Sequence, residues 1–246
     1  MHYLLTGATS GIGRAFLDLQ LTQASNASAS APIFTVIARN AAKLSELATH
    51  CQPYSCHGIN LDLAHPEQIA PTVTEALKDL PPVDRLVYCA GITRIEAVTK
   101  LTYPKNLEMM SICYFSLVEL IRVLVALKPE SHLLKVAVVS AMAATTGAAY
   151  TVSYSAAKKA LETLVRFGAQ ELLTQNVFIN ALAPAYVDTP MLKFNRLIDH
   201  NFAQNVTQIQ PLGLISTQTA AQELAELLES TSCTGTIRYL NSGMRY

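Results

Sequence analysis

Short β-type runs, several of them continuously apolar, alternate along the chain with longer helical segments. The short runs fall at 3–6, 33–38, 54–61, 85–89, 135–140, 177–183 and 236–240. Some are apolar throughout, as in Leu86-Val87-Tyr88-Cys89 and Val136-Ala137-Val138-Val139. That composition suits strands of a parallel sheet covered on both faces. Helices are predicted between them at about 14–23, 40–49, 66–79, 104–127, 154–175 and 217–229. Strands alternating with helices predict a three-layer, doubly wound α/β fold with a parallel sheet of about seven strands. A Ser/Ala-rich stretch at 24–31 is expected to be a surface loop. No repeat and no domain boundary interrupts the pattern, so residues 1–246 are expected to form one domain.

The first strand runs directly into Thr6-Gly7-Ala8-Thr9-Ser10-Gly11-Ile12-Gly13, and an apolar helix comes next. In such a turn Gly7 permits the sharp bend and Gly11 lets the backbone approach a pyrophosphate. Gly13 lets the helix pack closely on the strand, and the helix N-terminus offers free N–H groups to the phosphates. This makes the expected fold a Rossmann fold with a dinucleotide at residues 7–13. The second strand ends Ala38-Arg39. A carboxylate there would suit the ribose hydroxyls of NAD, whereas a guanidinium suits a 2′-phosphate, so NADP(H) is the expected cofactor.

Tyr154 and Lys158, in Ser153-Tyr154-Ser155-Ala156-Ala157-Lys158, lie four apart in a helical segment and so share a face. A free phenol, with a pKa near 10, exchanges protons poorly at neutral pH. A neighbouring ammonium favours the phenolate, and Tyr154 is thereby expected to serve as a general acid or base.

Taken together, these segments resemble the short-chain dehydrogenase/reductase family in its compact single-domain form, over essentially the whole chain. The family's glycine turn corresponds to residues 6–13, and its adenine-contacting aspartate to Asp62, followed by Leu63. Its Asn-Asn-Ala-Gly turn corresponds to Tyr88-Cys89-Ala90-Gly91. Its nicotinamide-contacting segment resembles the stretch from Asn180 to Pro190, and its C-terminal strand the stretch from Thr234 to Gly243. The resemblance implies hydride transfer between nicotinamide and a carbonyl or alcohol carbon, with Tyr154 exchanging the oxygen-bound proton. It implies cofactor contacts at Gly7, Thr9, Ser10, Gly11, Ile12, Gly13, Arg39, Asp62, Leu63, Cys89, Ala90, Gly91, Tyr154, Lys158, Pro184, Val187 and Thr189. Lys158 would also bind the nicotinamide ribose. Helices 104–127 and 154–175 resemble the family's subunit interface, which implies a homodimer or homotetramer.

The chain departs from the family pattern at two catalytic positions. The family's oxygen-binding serine stands thirteen residues before the tyrosine, where this chain has Ala141. Ser140 precedes it, but adjacent strand side chains point to opposite faces. Either a local kink turns Ser140 inward or the serine is absent; Thr145 and Thr146 in the following loop are substitute hydroxyls. The family's relay asparagine falls at Ser111, which is shorter and lacks two amide donors. Residues 191–210 occupy the place of a mobile substrate lid. Leu192, Phe194, Leu197, Ile198 and Phe202, with Met142, Tyr150 and Tyr186, are the expected apolar pocket.

Composition narrows the alternatives. Half of the residues are apolar and 15% are charged, against about 25% in average soluble domains, so a large buried core is expected. The formal net charge is zero, and no basic stripe invites nucleic acid or an anionic membrane surface. The apolar run at 117–127 carries Glu119 and Arg122 and is short for a bilayer span. Five cysteines, an odd number with no Cys-x-x-Cys and no histidine cluster, fit a reduced cytoplasmic protein without a metal site. The expected activity is an NADP(H)-dependent oxidoreductase acting on a carbonyl or secondary alcohol of a small, mostly apolar molecule. Its rivals are a nucleotide-binding sensor or subunit with weakened catalysis, and an elimination or isomerisation on the same fold.

Overall fold

A computed structural model of the chain describes residues 1–26, 31–192 and 202–244. Strands β1 (His2–Thr6), β2 (Ile33–Ala38), β3 (Ser55–Asn60), β4 (Arg85–Tyr88), β5 (Leu134–Val139), β6 (Val177–Pro184) and β7 (Ile237–Leu240) form one sheet. Their order is β3-β2-β1-β4-β5-β6-β7, and every pairing is parallel. The order reverses beside β1, between β1 and β4. This is the switch point where doubly wound sheets open a crevice at the carboxyl ends of their strands.

Side chains alternate across the sheet and feed two cores. In β5, Val136 and Val138 join the core under α3 (Ile69–Leu77), α5 (Ser116–Leu127) and α7 (Val152–Thr163). Ala137 and Val139 join the opposite core, under α1 (Gly11–Ser25), α2 (Ala41–His50) and α10 (Thr217–Glu229). Continuous apolarity in the strands arises from this two-sided burial. The three-layer Rossmann architecture expected from the sequence is the one observed.

Two helices differ from the expectation. The predicted 104–127 helix is α4 (Tyr103–Met110), a π-helical turn at Ser111–Phe115, and α5. By length and composition alone Tyr103–Leu127 would suffice to cross a membrane. Here Leu117, Leu120, Ile121 and Leu124 are buried in the core facing α3. The predicted 154–175 helix likewise divides into α7, a π-helical turn at Leu164–Gly168, and α8 (Ala169–Leu173). A π turn inserts one extra residue and rotates the side chains beyond it, so spacing rules for a regular α-helix fail across it. Helix α6 (Ala143–Thr146) lies between β5 and α7, and α9 (Phe202–Ile209) precedes α10.

Candidate active site

All the residues expected at the cofactor, from Gly7 after β1 to Thr189 beyond β6, line one cavity of about 640 Å³. The glycine turn is built for close approach. Gly7 adopts φ +71°, and a Cβ there would stand 2.7 Å from the Cys89 carbonyl carbon. At Gly13 a Cβ would meet the Gly7 carbonyl oxygen at 2.5 Å, so only glycine lets α1 pack this closely on the turn. Thr6, fully buried, accepts a hydrogen bond from the Ala90 N–H at 3.1 Å and ties the β1 and β4 turns together.

The N-cap residue of α1, Ser10, makes no side-chain capping bond, and no acidic residue occupies the first turn. The first-turn N–H groups of a helix have no partner within it. With the dipole's positive end they form an anion cradle. The residues present therefore fit a dinucleotide pyrophosphate. Arg39 is exposed on the same cavity, beyond β2, and makes no ion pair among the described residues. Asn40 next to it is committed to capping α2, accepting from Lys43 N at 3.0 Å. Asp62 holds its own turn by accepting from Ala64 N at 3.0 Å and lines the cavity with Leu63.

Tyr154 and Lys158 come to the same cavity from α7. The Lys158 ammonium lies 5.8 Å from the centre of the Tyr154 ring. It donates to the Val139 carbonyl oxygen at 2.7 Å, at the end of β5. The sequence leads one to expect a lowered tyrosine pKa; the geometry gives the opposite direction. Burial of the Tyr154 phenol raises its pKa above the ordinary value, and the Cys113 sulfur adds to the rise. Burial also pushes the Cys89 thiol up to about 12 despite the opposing pull of Lys158. Cys89 is thus a neutral, unreactive wall of the site.

The Ser140 hydroxyl has a partner that does not line the cavity. Ser140 continues the alternation of β5: its N–H donates to Leu182 O at 2.7 Å, and Met142 N donates to Pro184 O at 2.9 Å. The ladder runs on without a bulge. Ser140 and Ala141 both line the cavity, but the Ser140 hydroxyl donates to Glu162 Oε1 at 3.0 Å. Glu162 is itself buried and bonded to Lys159 at 3.2 Å. Glu162 stands eight residues beyond Tyr154 on α7, about 12 Å along the axis. The hydroxyl hydrogen of Ser140 is therefore spent on a structural bond. Ala141, the residue at the family's serine position, carries no hydroxyl. Of the substitute hydroxyls, Thr146 lines the cavity and Thr145 does not; Thr93, unforeseen from the sequence, lines it too.

Ser111 is buried at the start of the first π turn and is not among the cavity-lining residues. Ile112 lines the cavity instead. Cys113 packs with Tyr154 and Ala157, and a Cβ at Gly91 would lie 3.5 Å from Lys158 Nζ and 3.9 Å from Cys113 Sγ. The π turn has rotated Cys113 into the position facing the tyrosine–lysine pair, a shift that no residue spacing announces.

Of the expected apolar pocket, Met142, Tyr186 and Leu192 line the cavity. Tyr150 does not: it is mostly exposed in a left-handed turn, φ +65°. Phe194, Leu197 and Ile198 lie outside the described residues, and Phe202 is described only as the start of α9. Sequence reasoning missed Ile92, Ile95, Met191 and Met244 on the wall. Among the described lining residues the only charged ones are Arg39, Asp62 and Lys158, all at expected cofactor positions.

Comparison with known proteins agrees with this geometry. The family model for short chain dehydrogenase matches residues 1–198. The chain is similar to a 3-ketodihydrosphingosine reductase of Bos taurus, 28% identical over 196 residues, which are 77% of this chain and 57% of that protein. It thus spans little more than half the length of that relative. It is also similar to a 3-oxoacyl-[acyl-carrier-protein] reductase of Aquifex aeolicus, 24% identical over 244 residues and covering 98% and 96% of the two chains. Among solved structures, ElxO with NADP bound superposes with a TM-score of 0.85 at 19% identity, covering 98% and 97%. A 4-hydroxyisoleucine dehydrogenase complexed with NADH superposes at 0.87, also at 19% identity and with the same coverage. At such identity the structures speak for the fold. The match of the family model over most of the chain settles its membership: it belongs to the short chain dehydrogenase family.

Proposed function

We propose that the chain is an NADP(H)-dependent oxidoreductase acting on a carbonyl or secondary alcohol of a small, mostly apolar molecule. The observation that carries this reading is the meeting of the glycine cradle, Arg39 and the Tyr154–Lys158 pair on one cavity. Arg39 favours the 2′-phosphate of NADP(H) over the free ribose of NAD(H). Nicotinamide, when bound, supplies or accepts the hydride. Tyr154 exchanges the proton of the substrate oxygen, and Lys158 holds the cofactor ribose.

Burial raises the Tyr154 pKa, so at neutral pH the phenol carries the proton that it would donate to a developing alkoxide. Away from the expected cofactor positions the described wall holds no charged side chain, which supports a mostly apolar substrate. Two relatives are named as reductases of 3-oxo or 3-keto compounds, so 3-oxo compounds with an alkyl chain are the first class to test. Ala141 at the serine position supports a second reading, a nucleotide-binding subunit with weakened catalysis. Exposed Tyr103, Leu107, Phe115 and Phe167 on the long helix and the turn after α7 support self-association. The test is NADPH oxidation with 3-oxo esters of graded chain length. Turnover that rises with chain length supports the oxidoreductase; tight NADPH binding with no turnover across the series supports the second reading.

A further inference from the structure

Gln210 stands just after α9 and is fully buried. Its side-chain amide grips the backbone of one cavity-wall residue, Tyr186. Gln210 Oε1 accepts from Tyr186 N at 2.8 Å, and Nε2 donates to Tyr186 O at 3.0 Å. The second amide hydrogen goes to Gly213 O at 2.6 Å. The oxygen and both hydrogens are thus used, and only a carboxamide carries that combination. The backbone around it forms a short parallel bridge: Ile215 N donates to Tyr186 O at 3.0 Å and Asp188 N to Ile215 O at 2.9 Å. Gln210 extends that bridge by one rung with a side chain.

The contact joins three segments. Tyr186 lies in the stretch after β6 that lines the cavity. Gly213 O also accepts from Ser242 Oγ at 2.9 Å, and Leu212 N donates to Ser242 O at 3.1 Å. The C-terminal stretch fixed in this way carries Met244 to the cavity. From this geometry we infer that Gln210 is a positioning residue for substrate: it fixes the Tyr186 wall of the pocket and couples it to the end of α9. The inference rests on the oxidoreductase reading for its kinetic consequence and on geometry alone for its structural one.

Two variants and two measurements test it. Gln210→Met keeps the length and removes all three bonds. Gln210→Glu keeps the shape, but as a carboxylate it faces the carbonyl oxygens of Tyr186 and Gly213 with no hydrogen to donate; protonated, it regains one donor. For a ketone that the wild type reduces, the KM of Gln210→Met should rise about tenfold or more at every pH, with a smaller change in kcat per active site. For Gln210→Glu, KM should be raised at about pH 8 and return toward the wild-type value as the pH falls toward about 5.5. Hydrogen exchange on the protein alone should show the Tyr186 amide losing protection in Gln210→Met while the β4 and β5 amides keep theirs. Unchanged KM in Gln210→Met, or a KM in Gln210→Glu equal to that of the wild type at every pH, overturns the positioning role. Unchanged exchange at Tyr186 overturns the clamp itself. If the wild type reduces no ketone, it is the oxidoreductase reading that has failed, and the exchange experiment still decides the clamp.

Discussion

Ser140 donates its hydroxyl hydrogen to Glu162 at 3.0 Å, and its neighbour Ala141 brings only a methyl group to the cavity wall. This pairing fastens the end of β5 to α7, beside the Val139 carbonyl that holds Lys158. In this structure it directs the Ser140 hydroxyl hydrogen to Glu162. Ser140→Ala should therefore cost about 1.5–3 kcal/mol of stability, the usual worth of a hydrogen bond to a charged group. Turnover per folded molecule should stay close to wild type. Ala141→Ser should raise ketone reduction about tenfold or more, part of the hundred- to thousandfold that one preorganised donor supplies. Denaturant melts and turnover of both single variants check this; a crippled Ser140→Ala would show that the hydroxyl turns to the substrate after all.

Arg39 sets the cofactor prediction. Arg39→Ala should weaken NADPH by roughly tenfold to a hundredfold, the loss of one charge-assisted bidentate pair, and leave NADH nearly unchanged. Titrating both cofactors against both proteins is the measurement. Equal losses, or a wild-type preference for NADH, would remove the assignment.

At Gly13 two rules predict opposite signs. Helix propensity makes Gly→Ala favourable by about 1 kcal/mol in a helix interior. Geometry places the new Cβ 2.5 Å from the Gly7 carbonyl oxygen, a backbone atom that cannot swing aside. The clash should win. Gly13→Ala should lose about 1–3 kcal/mol of stability and bind NADPH more weakly, as read by thermal melts and titration. A stabilised variant with intact binding would mean that the turn is looser than described.

Burial as the dominant influence on Tyr154 has a spectroscopic consequence. The phenol is neutral below its pKa and that pKa is raised, so its phenolate should be absent through neutral pH. In the cofactor-free protein, the ultraviolet phenolate difference between wild type and Tyr154→Phe should appear only above about pH 10. A difference band already present by about pH 8 would mean that Lys158, not burial, governs the group.

Much of this was legible in the residues. Two-sided burial writes itself into strands such as β5, and the Gly7–Gly13 spacing, Arg39 and the Tyr154–Lys158 pair are local features that survive translation into three dimensions. What was hidden depends on the path of the chain. The π turn at Ser111–Phe115 has no residue signature and moves Cys113 rather than Ser111 toward the tyrosine. The partner of Ser140 is 22 residues away on a different element. Thr93 and Met244 reach the cavity, and Gln210 the backbone of its wall residue Tyr186, through loops whose positions are set by packing, not by periodicity.

The central claim is that Tyr154 delivers the proton in a nicotinamide-dependent reduction. Its most direct test is NADPH oxidation by wild type and Tyr154→Phe on the same ketone, with NADPH affinity measured for both. The substitution deletes one hydroxyl and leaves the cradle untouched. The account predicts loss of essentially all turnover in Tyr154→Phe with NADPH affinity within about threefold of wild type. Retention of most of the turnover by Tyr154→Phe would contradict it.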